Sequence, residues 1–180
     1  MHGGPRRRSI RLQRFDYARP GAYFITICTE GRACLFGEVV DGEMRRYECG
    51  LLVHDIWETI PDHHPNVELD AFIVMPNHIH GILIIMQRRG TTRRAPTAGN
   101  TPPYEQFQKP VAGSIPTIIR SFKSAVTKQI NELRHTPGGV VWQRNYYEHV
   151  VRSERDLNRI RAYIQNNPAR WAEDRNPPGR

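Results

Sequence analysis

Runs of β-branched and aromatic residues predict the strands of this chain. The runs cover residues 23–28, 67–75, 78–86, 140–142 and 146–151. The strongest two flank the turn-like dipeptide Pro76-Asn77, so we expect them to be central strands of a sheet. Asp41-Gly42 separates two further short apolar segments and favours a two-residue hairpin, because both residues tolerate positive φ.

Apolar residues at three- and four-residue spacing predict helices between and after these strands. The first helix covers residues 49–60 and is closed by a proline at its end. The second begins with Ser114 as its cap and ends before Pro137. The last begins near Ser153 and runs to the Asn167-Pro168 boundary. The apolar face of the first helix should pack on a sheet.

The length of 180 residues suits one domain with a proper core. We assign the domain to residues 21–170. Residues 1–20 carry six arginines and little apolar content, which is typical of a flexible basic arm. Residues 87–113 are rich in Arg, Thr, Pro and Gly and predict a mobile insertion, and residues 171–180 form a C-terminal tail.

The charge of the chain indicates a polyanionic partner. Its 26 Lys and Arg against 18 Asp and Glu give a formal charge of +8 and a sequence pI near 9.9. Nucleic acid is therefore the first partner to consider, although charge alone does not distinguish it from ordinary surface basicity.

The cysteines and apolar runs indicate a cytoplasmic protein. Cys28, Cys34 and Cys49 are odd in number and lack CxxC spacing, so neither a disulfide framework nor a zinc knuckle is predicted. The Arg-rich N-terminus has no apolar stretch of the kind found in signal peptides, and the longest apolar run is too short to cross a bilayer.

A histidine pair is the first candidate for chemistry. On a strand, His78 and His80 share one face while Ile79 points to the other, and two neighbouring imidazoles can bind a metal. Two solvent-facing polar residues are the plainer interpretation. Further ligands would have to come from elsewhere in the fold, and ligand softness alone would favour zinc or another transition metal. Gly81 leaves room for a ligand or marks a strand irregularity.

A tyrosine on the last predicted helix is the second candidate. Tyr163 and Asn167 are four residues apart, so they lie one turn apart on the same helix face. An amide oxygen next to a phenol could complete a metal site. Taken alone, such a tyrosine is more often a half-buried packing residue, and such an asparagine is more often a helix terminator.

Three separated motifs resemble those of one family. These are VMPNHIHG at residues 74–81, VWQRNYYEHVVR at 141–152 and YIQNNP at 163–168. In this order they resemble the REP-associated tyrosine transposases, a branch of the single-tyrosine HUH (His, hydrophobic, His) nucleases. The similarity covers roughly residues 9–170.

The resemblance implies an α+β fold, a ferredoxin-like antiparallel sheet with helices packed on it. It implies His78 and His80 as metal ligands, Asn167 as third ligand in a place where relatives carry an amide, and Tyr163 as nucleophile. Related insertion-sequence enzymes often carry the longer Gln at that place. The implied cofactor is Mg²⁺ or Mn²⁺, with water and phosphate oxygens completing the shell.

The implied activity is that of a metal-dependent endonuclease and strand transferase that acts on single-stranded DNA, in particular hairpin or repeat DNA, through a 5′-phosphotyrosine intermediate. Arg120, Lys123 and Arg144 are candidate DNA contacts. Tyr146 and Tyr147 are alternative nucleophiles whose other role would be packing or base stacking.

Two other functions stay open at this point. One is a non-catalytic domesticated protein that binds hairpin DNA, and the other is a hydrolase in which water attacks. Monomer and homodimer are both compatible with the sequence.

Overall fold

The computed structural model of the chain describes residues 16–87 and 111–173. Most of the predicted basic arm, of the predicted insertion and of the predicted C-terminal tail lie outside the described residues. Five residues assigned to the arm, 16–20, are described, and Tyr17 among them is buried in the main core.

The strands and helices follow the order expected from the hydrophobic pattern. The strands are β1 (Gly21–Cys28), β2 (Gly37–Val40), β3 (Glu43–Arg46), β4 (Val67–Met75), β5 (His78–Ile85) and β6 (Tyr147–Val151). The helices are α1 (Glu48–Glu58), α2 (Ile60–His63), α3 (Ile115–Leu133) and α4 (Glu154–Gln165), with 3-10 turns at Glu30–Arg32 and Pro168–Glu173.

The described residues form a four-stranded sheet in the order β4-β5-β1-β6, in which every neighbouring pair is antiparallel. β2 and β3 form a separate two-stranded sheet. β1, α1 and β4 form one β-α-β segment, and β5, α3 and β6 form a second one. The two central strands of the sheet, β1 and β5, are the first strands of these two segments. The predicted α+β fold, an antiparallel ferredoxin-like sheet with packed helices, is confirmed.

One face of the four-stranded sheet carries the main core. Its strand residues alternate, so Ile25 and Ile27 of β1 lie beside Ile79 and Leu83 of β5 on the same face. α1 and α3 cover them with their apolar stripes. The helix residues buried there are Val53, Trp57, Ile115, Ile118, Ile119, Phe122, Val126 and Ile130.

The opposite face carries a second, smaller core under α4. Phe24 of β1 and Ile82 of β5 pack there against Ile160 and Ile164 of the helix. The hydroxyl of Ser153 accepts a hydrogen bond from the backbone N–H of Asp156 at 3.1 Å, so the predicted start of this helix is confirmed.

The predicted hairpin is also confirmed. Asp41 and Gly42 join β2 to β3 with φ values of 53° and 78°. Positive φ at both central residues is the geometry that matches the twist of the flanking strands.

Four local expectations were wrong or only partly correct. The first predicted helix ends at Glu58, and Pro61 lies in the separate short helix α2, since proline is tolerated in a first turn. Ser114 stands at the N-cap of α3, but its hydroxyl pairs with that of Thr117 at 3.2 Å and accepts no backbone N–H.

The other two concern an expected strand and a glycine. Residues 140–142 form no strand, and Trp142 makes a single isolated bridge to Thr29. Gly81 points to the main core, where a Cβ would lie 2.8 Å from Cη2 of Trp57 and 3.1 Å from Phe72. The space beside Gly81 therefore holds the indole ring and not a ligand.

No helix among the described residues has the length and apolar character needed to cross a membrane.

Candidate functional site

The two histidines lie side by side on the face of the sheet that α4 covers. His78 pairs with Cys28 and His80 with Thr26 across the β1–β5 ladder, and Ile79 between them points into the main core. The shared face matches the alternation expected for a strand. Neither ring faces solvent, because His78 is 0% and His80 2% exposed.

A buried asparagine sets the proton position on His78. Nδ1 of His78 lies 2.8 Å from Oδ1 of Asn77, and the amide nitrogen of Asn77 donates to the carbonyl of Arg32 at 3.2 Å. Because the Asn77 oxygen can only accept, Nδ1 of His78 must carry a hydrogen. In the neutral ring, Nε2 is then left as the lone-pair nitrogen.

A threonine holds the second ring in place. Nδ1 of His80 lies 2.8 Å from Oγ1 of Thr26, and Nε2 of His80 lies 3.0 Å from Nε2 of His78. A hydroxyl can donate or accept, so it fits either tautomer of His80. When Nδ1 donates to Thr26, both Nε2 lone pairs point toward the same place, an arrangement that favours a cation between them.

Burial keeps both imidazoles neutral. Loss of water lowers the pKa of His78 well below its usual value, and the neighbouring His80 and Arg32 act in the same direction. Burial lowers the pKa of His80 to about 3. Neutral rings at physiological pH are the form in which histidine coordinates metal ions.

Tyr163 of α4 brings a hydroxyl to this pair. Its oxygen lies 3.2 Å from Nε2 of His80, and its ring meets the rings of His80 and Phe24 edge-on at 5.1 and 6.1 Å. The side chain is nevertheless 42% exposed. The hydroxyl is thus held beside the buried histidines while the ring remains accessible from solvent.

A bidentate ion pair fixes the helix that carries this tyrosine. Nε and Nη2 of Arg161 donate to the two carboxylate oxygens of Asp70 on β4, at 2.8 and 2.5 Å. The hydrogen bonds from Arg161 lower the pKa of Asp70. Bidentate geometry restrains both rotation and position, so α4 is tied to the sheet two residues before Tyr163.

Asn167 lies between two residues that touch the pair. Tyr163, one turn earlier, contacts His80, and Trp171, four residues later, stacks on His78 with ring centroids 6.0 Å apart. Asn167 is 4% exposed, and its Oδ1 has no hydrogen-bond partner among the described residues. A buried carbonyl oxygen without a donor costs free energy, which a cation at this place would offset.

These side chains fit a divalent metal ion. The 3.0 Å between the two Nε2 atoms is close to the edge of an octahedron around an ion with ligands at about 2.1 Å. Within residues 16–87 and 111–173, no three His, Cys, Asp or Glu side chains cluster into a metal site. A third protein ligand from these segments would therefore be a different group, and the Asn167 oxygen has the right chemistry.

Two of the three candidate DNA contacts lie on the face of the sheet away from the histidines. Arg120 and Lys123 belong to α3, which packs on the opposite face of the sheet. The Lys123 ammonium donates to the main-chain carbonyls of Gln143 and Arg144 at 2.5 and 3.2 Å, and burial lowers its pKa. Arg144 is exposed just before β6.

Sequence reasoning missed the residues that orient the site. Asn77 directly precedes the pair, and the rule that a metal-binding histidine donates its other ring N–H to an oxygen could have identified it. Thr26 becomes a partner only through the β1–β5 register. Trp171 was assigned to the tail, and nothing in its local sequence signals contact with His78.

The comparisons with known proteins agree with this fold. No family model matches the chain. An uncharacterized protein of Haemophilus influenzae is 41% identical over 169 residues, which cover 93% of this chain and 91% of that protein. A second protein of the same organism, provisionally named a REP-associated tyrosine transposase, is 24% identical over 157 residues, or 87% of this chain and 75% of that protein.

A solved structure of a REP-associated tyrosine transposase bound to a REP hairpin superposes on the chain with a TM-score of 0.53. Sequence identity is 18%, and the match covers 89% of this chain and 74% of that one.

The sheet and its packed helices thus define an α+β protein with the fold of a tyrosine transposase. The chain belongs to one family with the uncharacterized Haemophilus influenzae protein. Its resemblance to the REP-associated tyrosine transposases, expected from the three motifs, is confirmed by the fold and by the named relative.

Proposed function

We propose that this chain is a metal-dependent endonuclease and strand transferase that acts on single-stranded DNA through a 5′-phosphotyrosine intermediate. The observation that carries the proposal is the placement of the Tyr163 hydroxyl 3.2 Å from Nε2 of His80, itself 3.0 Å from Nε2 of His78. The solved neighbour is bound to a REP hairpin, which supports hairpin or repeat DNA as the substrate class.

The metal site of this proposal is made by Nε2 of His78, Nε2 of His80 and Oδ1 of Asn167. Mg²⁺ or Mn²⁺ is the proposed ion, with water and phosphate oxygens as its remaining ligands. When bound, it would polarise the scissile phosphate and offset the negative charge that develops there. Asn77 and Thr26 keep the two rings oriented, because each holds the Nδ1 side of its histidine.

The reaction is a transesterification at phosphorus. The phenol of Tyr163 loses its proton, its oxygen bonds to phosphorus, and the bond from phosphorus to the 3′ oxygen breaks. The departing 3′ oxygen takes up a proton, leaving a free 3′-hydroxyl and a 5′-phosphotyrosine. Attack by a 3′-hydroxyl on that phosphotyrosine reverses the step and joins DNA, so no nucleotide cofactor is needed.

Tyr163 is the proposed nucleophile rather than Tyr146 or Tyr147. Its hydroxyl lies 3.2 Å from Nε2 of His80, a proposed metal ligand, and the Asp70–Arg161 pair restrains its helix. An in-line attack needs such restraint because a displacement of about 1 Å is enough to cost a large part of the rate.

Backbone contacts to the DNA remain part of the proposal. Exposed Arg144 lies three residues before β6, the edge strand next to β1. Arg120 and Lys123 would contact phosphate only if the strand also passes over α3. The ammonium of Lys123 already binds two carbonyls, so we expect the smallest contribution from it.

The test is covalent capture of DNA. The full chain is incubated with labelled single-stranded hairpin DNA from its own genomic flanks and with Mn²⁺ or Mg²⁺, then separated by denaturing electrophoresis. We expect a protein–DNA adduct that is lost in Tyr163→Phe, in His78→Ala and on addition of EDTA.

Matched controls are available in the same chain. Tyr47 is 47% exposed, close to the 42% of Tyr163, and lies on the chain segment before α1, so Tyr47→Phe should keep the adduct. His63→Ala serves the same purpose for the histidines. Loss of the adduct in Tyr147→Phe but not in Tyr163→Phe would move the nucleophile to Tyr147.

Two other products would contradict the proposal. A released 5′-phosphate without any adduct would mean that water attacks. Tight binding of the hairpin without cleavage would mean a non-catalytic DNA-binding protein.

A further inference from the structure

Two exposed phenol rings share the face of the sheet that carries the histidines. Tyr147 of β6 is 49% exposed and Tyr163 of α4 is 42% exposed. Both meet the ring of Phe24 edge-on, with centroid distances of 6.2 and 6.1 Å and interplanar angles of 69° and 88°. Phe24 therefore lies between the two rings and supports both.

The strand register fixes where Tyr147 lies relative to the site. Thr26 of β1 pairs with His80 on one side and with Tyr147 on the other. Tyr147 and His80 are thus two strands apart in one row, about 10 Å at the usual strand spacing. A nucleotide next to a phosphate held at the histidines can reach that distance.

The other approach to the histidines is already covered. Trp171 stacks on His78 at 6.0 Å, with an interplanar angle of 21°. Both histidines and Asn167 are buried, whereas the side chains of Tyr163 and Tyr147 on this face are exposed. A strand that reaches the site from this side therefore meets Tyr147.

The charge around β6 fits a nucleic-acid strand. β6 is an edge strand of the sheet, with exposed Arg144 before it and exposed Arg152 after it. An aromatic ring between cationic groups is the arrangement by which proteins bind single strands, with bases stacked on the ring and phosphates contacted by the cations.

We propose that Tyr147 is a stacking platform for a base adjacent to the phosphate that Tyr163 attacks. The inference rests on the proposed function and extends it by a substrate-positioning residue. The flat face of Tyr147 carries the interaction, and its hydroxyl does not. Stacking tolerates every base, so this residue contributes affinity and placement of the strand rather than sequence identity.

The experiment measures DNA binding instead of cleavage. Fluorescently labelled single-stranded DNA is titrated with full-length Tyr163→Phe protein in Mn²⁺, so that no covalent product forms. A series of oligonucleotides carries one abasic nucleotide at successive positions around the cleavage point. We expect one position at which loss of the base weakens binding about 10-fold or more.

A second variant assigns that position to Tyr147. In the double variant Tyr163→Phe with Tyr147→Ala, intact DNA should bind as weakly as the abasic oligonucleotide binds to Tyr163→Phe alone. Removal of the base should then weaken binding no further. Tyr147→Phe should restore the base dependence, because it keeps the ring. Tyr47→Ala, with a phenol equally exposed elsewhere, should leave binding unchanged.

The outcomes separate this inference from the proposed function. Tight binding with the same abasic profile in Tyr147→Ala would overturn the stacking role while the nuclease proposal stands. Weak binding in Tyr147→Phe equal to that in Tyr147→Ala would also overturn it, because the hydroxyl would then be the binding group. If the wild-type chain binds no single-stranded DNA and forms no adduct, both proposals fail.

Discussion

The two faces of the four-stranded sheet are built from neighbouring residues but differ in composition. On one face, Ile25, Ile27 and Ile79 belong to the main core, which also contains apolar residues of α1 and α3. On the other, Phe24 and Ile82 form a small apolar patch, and buried Thr26, His78, His80 and Asn167 occupy the rest.

Along a single strand, residues on one face thus stabilise the fold, and residues on the other face form the candidate site. Apolar burial stabilises in proportion to area and needs no particular partner, whereas each buried polar atom needs its own. On the polar face, Asn77 and Thr26 supply such partners to the two imidazole rings. The buried Oδ1 of Asn167 has no hydrogen-bond donor among the described residues. Burial of that oxygen without a donor opposes folding, so the stability of the fold does not account for its position.

The largest effect on stability is expected from Ile79→Ala. This change removes an apolar side chain from the main core at the position between the two histidines. Ile79 is fully buried in the main core, so its truncation should lower the free energy of unfolding by about 2–5 kcal/mol. Urea denaturation followed by circular dichroism measures it. The adduct yield of the protein that is still folded should stay near wild type, and a strong loss there would show that the faces are not separable.

Gly81→Ala tests the same face by overpacking. The new Cβ would lie 2.8 Å from Cη2 of Trp57, so the indole must move within a packed core. We expect a loss of about 1–3 kcal/mol in the free energy of unfolding. Thermal unfolding measures the change in stability. If the loss is smaller when Gly81→Ala is combined with Trp57→Phe, the indole ring of Trp57 is its cause. Unchanged stability in the single variant would contradict the packing role of Gly81.

Thr26→Val sharpens the comparison from the polar face. The methyl group keeps the volume but removes the oxygen next to Nδ1 of His80, so the affinity for Mn²⁺ should fall about 10- to 100-fold. Isothermal titration calorimetry with Mn²⁺ alone measures this without DNA. Thr26→Ser keeps the hydroxyl and should bind near wild type. Equal affinity in Val and Ser variants would rule out the orienting role of Thr26.

The smallest effect concerns the pH dependence of the Asp70–Arg161 pair. Hydrogen bonds from Arg161 lower the pKa of Asp70 in the folded chain, so this carboxylate stabilises the fold at pH values above its ordinary 3.8. Its contribution is lost as the pH falls through the lowered pKa. The unfolding free energies of wild type and Asp70→Asn should therefore differ slightly at pH 7, and the difference should shrink as the pH falls through the lowered pKa of Asp70.

The same substitution offers an independent readout. Asp70→Asn should slow adduct formation a few-fold at pH 7, because α4 loses the contact that restrains Tyr163. If the difference in unfolding free energy between wild type and Asp70→Asn grows as the pH falls, the predicted pH dependence has the wrong sign. The Asp70–Arg161 pair is then not the source of that difference.

Much of the fold was predictable because its signals are local. Runs of β-branched and aromatic residues predicted β1, β4 and β5, apolar spacing predicted α1, α3 and α4, and Asp41-Gly42 predicted its hairpin through positive φ. The errors arose where a non-local contact decides the outcome. Residues 140–142 have strand-like composition, but they find one bridge partner in Thr29 and no ladder.

The candidate site divides in the same way. Strand alternation predicts His78 and His80 on one face, and a four-residue separation predicts Tyr163 and Asn167 about one turn apart, although α4 ends at Gln165. The roles of these residues were expected from the family resemblance and not from spacing. That the halves meet depends on α4 packing on the face opposite to α1 and α3, for which the sequence holds no local signal.

The sequence by itself therefore determined the elements, the shared face of the histidines and the family resemblance, because periodicity and motif spacing are properties of short segments. Only the tertiary structure decided that Thr26 holds the imidazole of His80, that Trp171 covers His78 and that the Tyr163 hydroxyl reaches His80. These contacts join residues up to 93 positions apart in the chain, and strand register and helix packing alone set such distances.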